Sequence, residues 1–129
     1  MMYLLDTVTM VRHFSNSGTI GKSAAKILEN FPNSDDEFAI SIVSLMEIMY
    51  LSEKKRINID LNNTIDLLIQ SSGYRIIDLT TEIILSAQSI QFYELHDRMI
   101  LATAKWLGIP IISSDKKFNL VEGIEVIWH

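Results

Sequence analysis

The amino-acid sequence predicts an α/β fold: a parallel sheet in strand order 3-2-1-4-5 with helices on both faces. Three observations predict it. Short apolar runs of strand length alternate with stretches in which apolar residues recur every three or four positions, the spacing of one helical face. The run at 38–43 is apolar but for Ser41, as expected of a strand covered on both faces. Nothing before the C-terminal end carries a tight-hairpin signal, and strands joined through helices pair in parallel.

Taken in order, Tyr3-Leu4-Leu5 reads as a short buried strand, with Asp6-Thr7 as the polar turn at its carboxyl end. Residues 7–16 read as a short helix, and Gly18 breaks the segment. Ile20, Ala24, Ile27 and Leu28 form the stripe of a second helix that ends near Asn30 and Pro32. Ser34-Asp35-Asp36-Glu37 reads as an acidic, solvated loop before the 38–43 strand. Ser44 is expected to start the next helix, with Leu45, Ile48, Met49 and Leu51 facing inward. Lys54-Lys55-Arg56 closes it with the charge its C-terminal dipole prefers.

Leu61, Ile65, Leu68 and Ile69 mark a further helix, capped by Gly73, and residues 74–79 read as the third strand. Ile83, Ile84, Ala87 and Ile90 form another helical stripe. From Asp97, the residues Ile100, Leu101, Ala104 and Leu107 recur at spacings of three and four, until Gly108 and Pro110 stop the helix. Residues 110–115 read as a strand, Lys116-Lys117-Phe118-Asn119 as a turn, and 124–128 as the last strand.

A chain of 129 residues is expected to form one domain, 1–129, with a core of ordinary size and one active site. Hydrophobic residues at 48% and charged residues at 21% exclude a disordered tail or a fibre. There is no cysteine, so disulfides and thiolate ligands are excluded and any metal must be held by oxygen or imidazole, which favours a hard cation. The apolar start Met1-Met2-Tyr3-Leu4-Leu5 lacks a basic flank and is interrupted by Asp6. No signal peptide, membrane span or membrane partner is therefore expected, and a soluble cytoplasmic chain is. A net charge of −5 leaves no broad basic footprint, so a nucleic-acid substrate would need local basic groups or metal ions to offset repulsion.

Four acids stand out, and each has a plain structural explanation. Asp6 can cap the first helix, Ser44-Leu45-Met46-Glu47 matches a capping box, Asp97 suits the first turn of its helix, and Ser114-Asp115 can be an ordinary turn. Their placement adds a second reading. In a doubly wound sheet the strand carboxyl ends and the helix starts share one edge, where such folds place their sites. Asp6 and Asp115 are expected at strand ends, Glu47 and Asp97 at helix starts. Four carboxylates there repel one another unless cations share the space, so a divalent metal site is the simplest consistent account, and Mg²⁺ or Mn²⁺ suits an all-oxygen set.

The motifs Leu4-Leu5-Asp6-Thr7, Ser44-Leu45-Met46-Glu47, His96-Asp97-Arg98-Met99-Ile100-Leu101-Ala102-Thr103-Ala104 and Ile112-Ser113-Ser114-Asp115 span nearly the whole chain. In that order and at that spacing they resemble the PIN-domain ribonucleases, and within them the VapC-type toxins of toxin–antitoxin pairs. The resemblance implies that Asp6, Glu47, Asp97 and Asp115 are the catalytic acids, binding one or two Mg²⁺ or Mn²⁺ ions for hydrolysis of RNA phosphodiester bonds. It implies a supporting hydroxyl at Ser113, where threonine often stands, and at Thr7 beside the first acid. It also implies a cognate antitoxin partner and a homodimer. Val8 departs from the asparagine or serine often found two positions after the first acid, so polar support from that position is missing.

Arg98 is read as an ion-pair partner that fixes the acidic cluster, with phosphate binding as its alternative. His96 is open between contact with substrate or an acid and plain packing at the helix start. Lys116 and Lys117 directly follow Asp115 and are candidate RNA contacts, whereas Lys54, Lys55 and Arg56 read as a solvated helix end. Met10, Phe14, Met46, Met49 and Tyr50 read as core or interface. The competing function is a non-catalytic interaction module of the same fold, its acids capping helices or holding a structural metal. A phosphoacceptor receiver with Asp78 as acceptor fits less well, because a single Asp6 follows the first strand, and a haloacid-dehalogenase-type phosphatase would want aspartate where Val8 stands.

Overall fold

The computed structural model describes residues 1–31 and 35–129, so the expected stop at Pro32 and Ser34 of the acidic loop lie outside the described residues. In chain order the elements are β1 (Met2–Leu5), α1 (Thr7–Ser15), α2 (Lys22–Asn30), β2 (Glu37–Ser41), α3 (Ile42–Glu53), α4 (Leu61–Gln70), β3 (Tyr74–Ile77), α5 (Thr81–Ala87), α6 (Leu95–Leu107), β4 (Ile111–Ile112), a 3₁₀ turn (Lys116–Leu120) and β5 (Val126–Ile127). The five strands form one sheet in order β3-β2-β1-β4-β5. Every pairing is parallel, with Leu4 opposite Ala39 on one side and Ile111 on the other.

Because successive side chains on a strand point to opposite faces, each central strand feeds two cores. Tyr3, Leu5, Phe38, Ile40 and Ile112 meet Met10, Ala24, Leu28, Ile48 and Leu68 from α1 to α4 on one face. Leu4, Ala39 and Ile111 meet Ile83, Ala87, Ile100, Leu101 and Ala104 from α5 and α6 on the other. Leu4, Leu5, Phe38, Ile40, Ile111 and Ile112 are wholly buried, which accounts for runs that are apolar rather than alternating. No helix among the described residues is long and apolar enough to cross a membrane.

Local chemistry sets the helix ends. Side chains of Asp6, Ser41, Asp60, Thr80 and Glu94 accept hydrogen bonds from free N–H groups at the starts of α1, α3, α4, α5 and α6. Gly108 ends α6 in the left-handed conformation at φ 67°, as its position after Leu107 predicts. Gly21 opens α2 without a side-chain cap because a Cβ there would collide with the carbonyl of Trp128, to which the Ala24 N–H donates. The last strand and the start of α2 are thereby held together.

Several expected boundaries move. The second strand stops at Ser41 rather than 43, and Ser41, not Ser44, caps α3 by accepting from the Val43 N–H at 3.1 Å. A short apolar run reads alike as buried strand or buried helix, and the cap decides between them. The capping box Ser44–Glu47 is therefore not formed: both residues lie inside α3, on one face of it. Met49 and Ile69 are exposed rather than inward, as is Ile84. The strands expected over 74–79, 110–115 and 124–128 are shorter, and residues 116–119 form part of the 3₁₀ turn. Ser71, not Gly73, is the cap position of α4.

Candidate active site

The strand order places β1 between β2 and β4, so the chain reverses its direction of winding at β1 and a crevice opens at the carboxyl ends of these strands. Asp6 leaves β1 directly into it. Its carboxylate is buried and makes two bonds: Oδ1 accepts from the Thr9 N–H at 2.9 Å, and Oδ2 accepts from the Ser113 hydroxyl at 2.5 Å. Ser113, just after β4, in turn accepts from the Asp115 N–H at 3.1 Å. One buried hydroxyl thus sets both acids at the adjoining strand ends. The Asp115 carboxylate accepts from the Lys117 N–H at 2.9 Å and opens the 3₁₀ turn.

The other two acids come from helices. Glu47 lies on α3, and Thr7 donates to its Oε1 at 2.6 Å while standing 2.9 Å from the Ser44 hydroxyl. Asp97 lies on the first turn of α6, where Glu94 already accepts from the N–H groups of His96 and Asp97. The Asp97 carboxylate takes no hydrogen bond from any described residue. His96 Nδ1 is 3.5 Å from Glu94 Oε1 and 4.0 Å from Glu47 Oε2. Among the described residues one trio of metal-ligating side chains has its ligand atoms within 4.8 Å of one another, Glu47, Glu94 and His96.

The electrostatics record how the acids share this edge. Burial holds the Asp6 carboxyl above its usual range, against the pull of the Ser113 and Thr9 hydrogen bonds, and Asp115 adds to the rise. Burial likewise raises Glu47; the Thr7 bond and His96 lower it, while Glu94 and Asp6 raise it. Asp97 is pushed up to about 6, first by burial and then by Glu94, Glu47, Asp6 and Asp115. Every one of the four predicted acids therefore acts on Asp97 or is Asp97 itself. Opposing cations are scarce: among the described residues no lysine or arginine forms an ion pair with any of them.

The sequence matches the PIN domain family over residues 3–124. The chain belongs to the PIN domain family. Its fold is also that of solved structures: VapBC2 from Rickettsia felis bound to a promoter DNA fragment, at 19% identity, full coverage of both chains and TM-score 0.74; a toxin–antitoxin complex from Klebsiella pneumoniae, at 27% identity, 97% and 95% coverage and TM-score 0.66; and VapC20 from Mycobacterium tuberculosis, a toxin that cleaves the Sarcin-Ricin loop, at 16% identity, 92% and 93% coverage and TM-score 0.65. No curated protein matches the sequence.

Within this PIN domain the expected role of Arg98 changes. Its Nε donates to the Ala87 carbonyl at 2.9 Å, so it ties α6 to the end of α5, and it forms no ion pair among the described residues. Arg98 follows Asp97 in sequence, but adjacent residues on a helix point about 100° apart, which takes the guanidinium away from the cluster. Val8 is exposed. Lys117 lines a cleft with Asp97 and Asp115, and Lys116 lines a separate one with Ser113, Ser114 and Asp115. Glu94 was not among the acids singled out from the sequence. The available signal was its position three residues before Asp97, which marks a helix cap; its reach toward His96 and Glu47 needs the packing of α3 against α6.

Proposed function

We propose that this PIN domain is a metal-dependent endoribonuclease that hydrolyses RNA phosphodiester bonds, the toxin of a type II toxin–antitoxin pair. The supporting observation is the carboxylate edge itself: Asp6, Glu47, Asp97 and Asp115 come from two strand ends and two helices, the other three all raise the proton affinity of Asp97, and no arginine or lysine is paired to them among the described residues. A surplus of anions assembled at this depth fits a divalent cation. The donor set is carboxylate oxygen with one neighbouring imidazole, compatible with Mg²⁺ and with Mn²⁺. When bound, such an ion supplies Lewis acidity for attack by water on phosphorus and for the charge that develops on the leaving oxygen.

The chain's own residues prepare that site. Ser113 and the Thr9 N–H fix both oxygens of the Asp6 carboxylate, and Thr7 fixes Oε1 of Glu47. Lys116 and Lys117, exposed beside Asp115, bind the phosphates of the RNA. A cognate antitoxin and a second copy of the chain are the proposed protein partners. Met46, Met49 and Tyr50 on α3 are exposed together and line one hollow with Glu47 and His96, apolar surface of the kind a partner covers. The known partners of the structural relatives support this, since the Rickettsia felis and Klebsiella pneumoniae structures are complexes of toxin with antitoxin.

The second reading, a non-catalytic module, draws on the helix caps formed by Asp6 and Asp115. Glu47 and Asp97 cap nothing, which favours the nuclease. Incubating the purified chain with total RNA in Mg²⁺, Mn²⁺ or EDTA tests the proposal: cleavage with either metal, none in EDTA, and none from Asp97→Asn is expected. Equal cleavage by parent and Asp97→Asn, or none by the parent under any condition, sinks it.

A further inference from the structure

Phe92 and Tyr93 are neighbours in sequence that the fold treats oppositely. The Phe92 ring turns inward against Phe118, edge to face with centroids 5.2 Å apart, and pins the segment before α6 to the 3₁₀ turn. Tyr93 is thereby directed outward: its side chain is 105% exposed and makes no ring contact among the described residues. Leu120 repeats the arrangement, 84% exposed between the buried anchors Phe118 and Val121. Both side chains border one cleft of about 420 Å³, whose wall also includes Glu94, Asp97, Asp115 and Lys117. That volume lies within the range of clefts that hold small ligands, roughly 300–1,000 Å³.

We propose that this cleft, on the ribonuclease reading above, binds an unpaired nucleotide of single-stranded RNA next to the scissile phosphate. The base stacks on the Tyr93 ring beside Leu120, and Lys117 takes the adjoining phosphate. An aromatic ring left wholly in water contributes no burial to the fold, yet offers the face on which any base can stack. The net charge of −5 denies the chain a long electrostatic footprint, so affinity for RNA has to come from short-range stacking and a few local cations. A base within a duplex has both faces covered by its neighbours, and only an unpaired one can be splayed onto a side chain. The lining separates this cleft from the α3 hollow. Here Lys117 stands beside Glu94 and the proposed catalytic acids Asp97 and Asp115, at the reacting edge, whereas the α3 hollow is lined mainly by methionine, tyrosine and leucine, better suited to a protein segment.

The test is cleavage kinetics on a short single-stranded RNA. Tyr93→Ala should raise KM roughly 5- to 150-fold, the range measured for losing one stacked base, with kcat nearly unchanged; Tyr93→Phe should keep the parental KM. An abasic nucleotide at one position beside the cut should reproduce the rise in the parent and add nothing to it in Tyr93→Ala. If the parent cleaves and neither change moves KM, the subsite is wrong while the ribonuclease reading stands. If Tyr93→Ala weakens binding of a partner protein and leaves RNA kinetics alone, the cleft docks protein and the proposal is overturned. If the parent cleaves nothing, the ribonuclease reading has failed, and quenching of a 2-aminopurine base in the same RNA by the Asp97→Asn chain decides the subsite alone. Quenching that disappears with Tyr93→Ala supports it, and absence of quenching overturns it.

Discussion

Replacing Asp97 by asparagine should make the metal-free protein more stable, and by an amount that depends on pH. The Asp97 carboxyl stands at about 6 in the folded chain against 3.8 for a free aspartate, so the fold disfavours its ionised form. At ~1.4 kcal/mol per pH unit that gap corresponds to about 3 kcal/mol. Asp97 is half-buried and partly screened by water, which reduces the expected figure to ~1–2 kcal/mol. A folded value above the unfolded one means that the protonated carboxyl stabilises the fold, and that this stability is lost as pH rises from 3.8 through 6. Asparagine does not ionise and forfeits no hydrogen bond that the Asp97 carboxylate accepts from a described residue. In EDTA at pH 7.5 the Asp97→Asn chain should therefore melt ~3–8 °C above the parent, and below pH 4 the two should melt together. Saturating Mn²⁺ should reverse the order by stabilising the parent, by about 2.7 kcal/mol at a hundredfold excess over Kd, and the variant less. Melting curves at both pH values, with EDTA and with Mn²⁺, read all of this out. A variant that melts below the parent in EDTA at pH 7.5, or a difference that ignores pH, refutes the view that uncompensated carboxylates are gathered around Asp97.

Other substitutions separate the roles assigned above. Asp6→Asn should abolish metal-dependent RNA cleavage with an unchanged or higher melting temperature in EDTA, because the amide oxygen still accepts from the Thr9 N–H and the amide N–H donates to the Ser113 oxygen in place of the bond that Asp6 accepted; cleavage left intact would return Asp6 to a plain helix cap. Thr7→Val removes the hydroxyl donor to Glu47 and should weaken Mn²⁺ binding about tenfold by calorimetry, and unaltered affinity would count against Glu47 as a ligand. Arg98→Ala should lower the melting temperature through the lost bond to Ala87 while cleavage persists; a variant with parental stability and no cleavage would restore Arg98 to the cluster. Expression of the chain without a neighbouring antitoxin should slow growth, and expression of Asp97→Asn should not, so equal growth in both cases would argue against a toxin.

The sheet was legible in the sequence because burial on both faces leaves a direct mark: apolar runs such as 38–43 have no solvent side to make polar, and the helical stripes between them leave only crossovers as connections. The positions of Asp6, Asp97 and Asp115 followed from the same pattern, since each sits where an apolar element meets a polar turn. Where α3 begins did not follow, because Ile42 and Val43 are as apolar as the strand they extend, and only the Ser41 cap distinguishes winding from extension. Contacts between elements were equally hidden. That Arg98 reaches the Ala87 carbonyl rather than an acid depends on how α5 packs against α6. That Glu47 answers to Thr7, and that His96 stands between Glu47 and Glu94, depends on α1, α3 and α6 meeting at one edge. Sequence periodicity reports which face of an element leaves water; the partner that each polar side chain finds across the crevice is set by the packing of elements distant in the chain, and only the tertiary structure decides it.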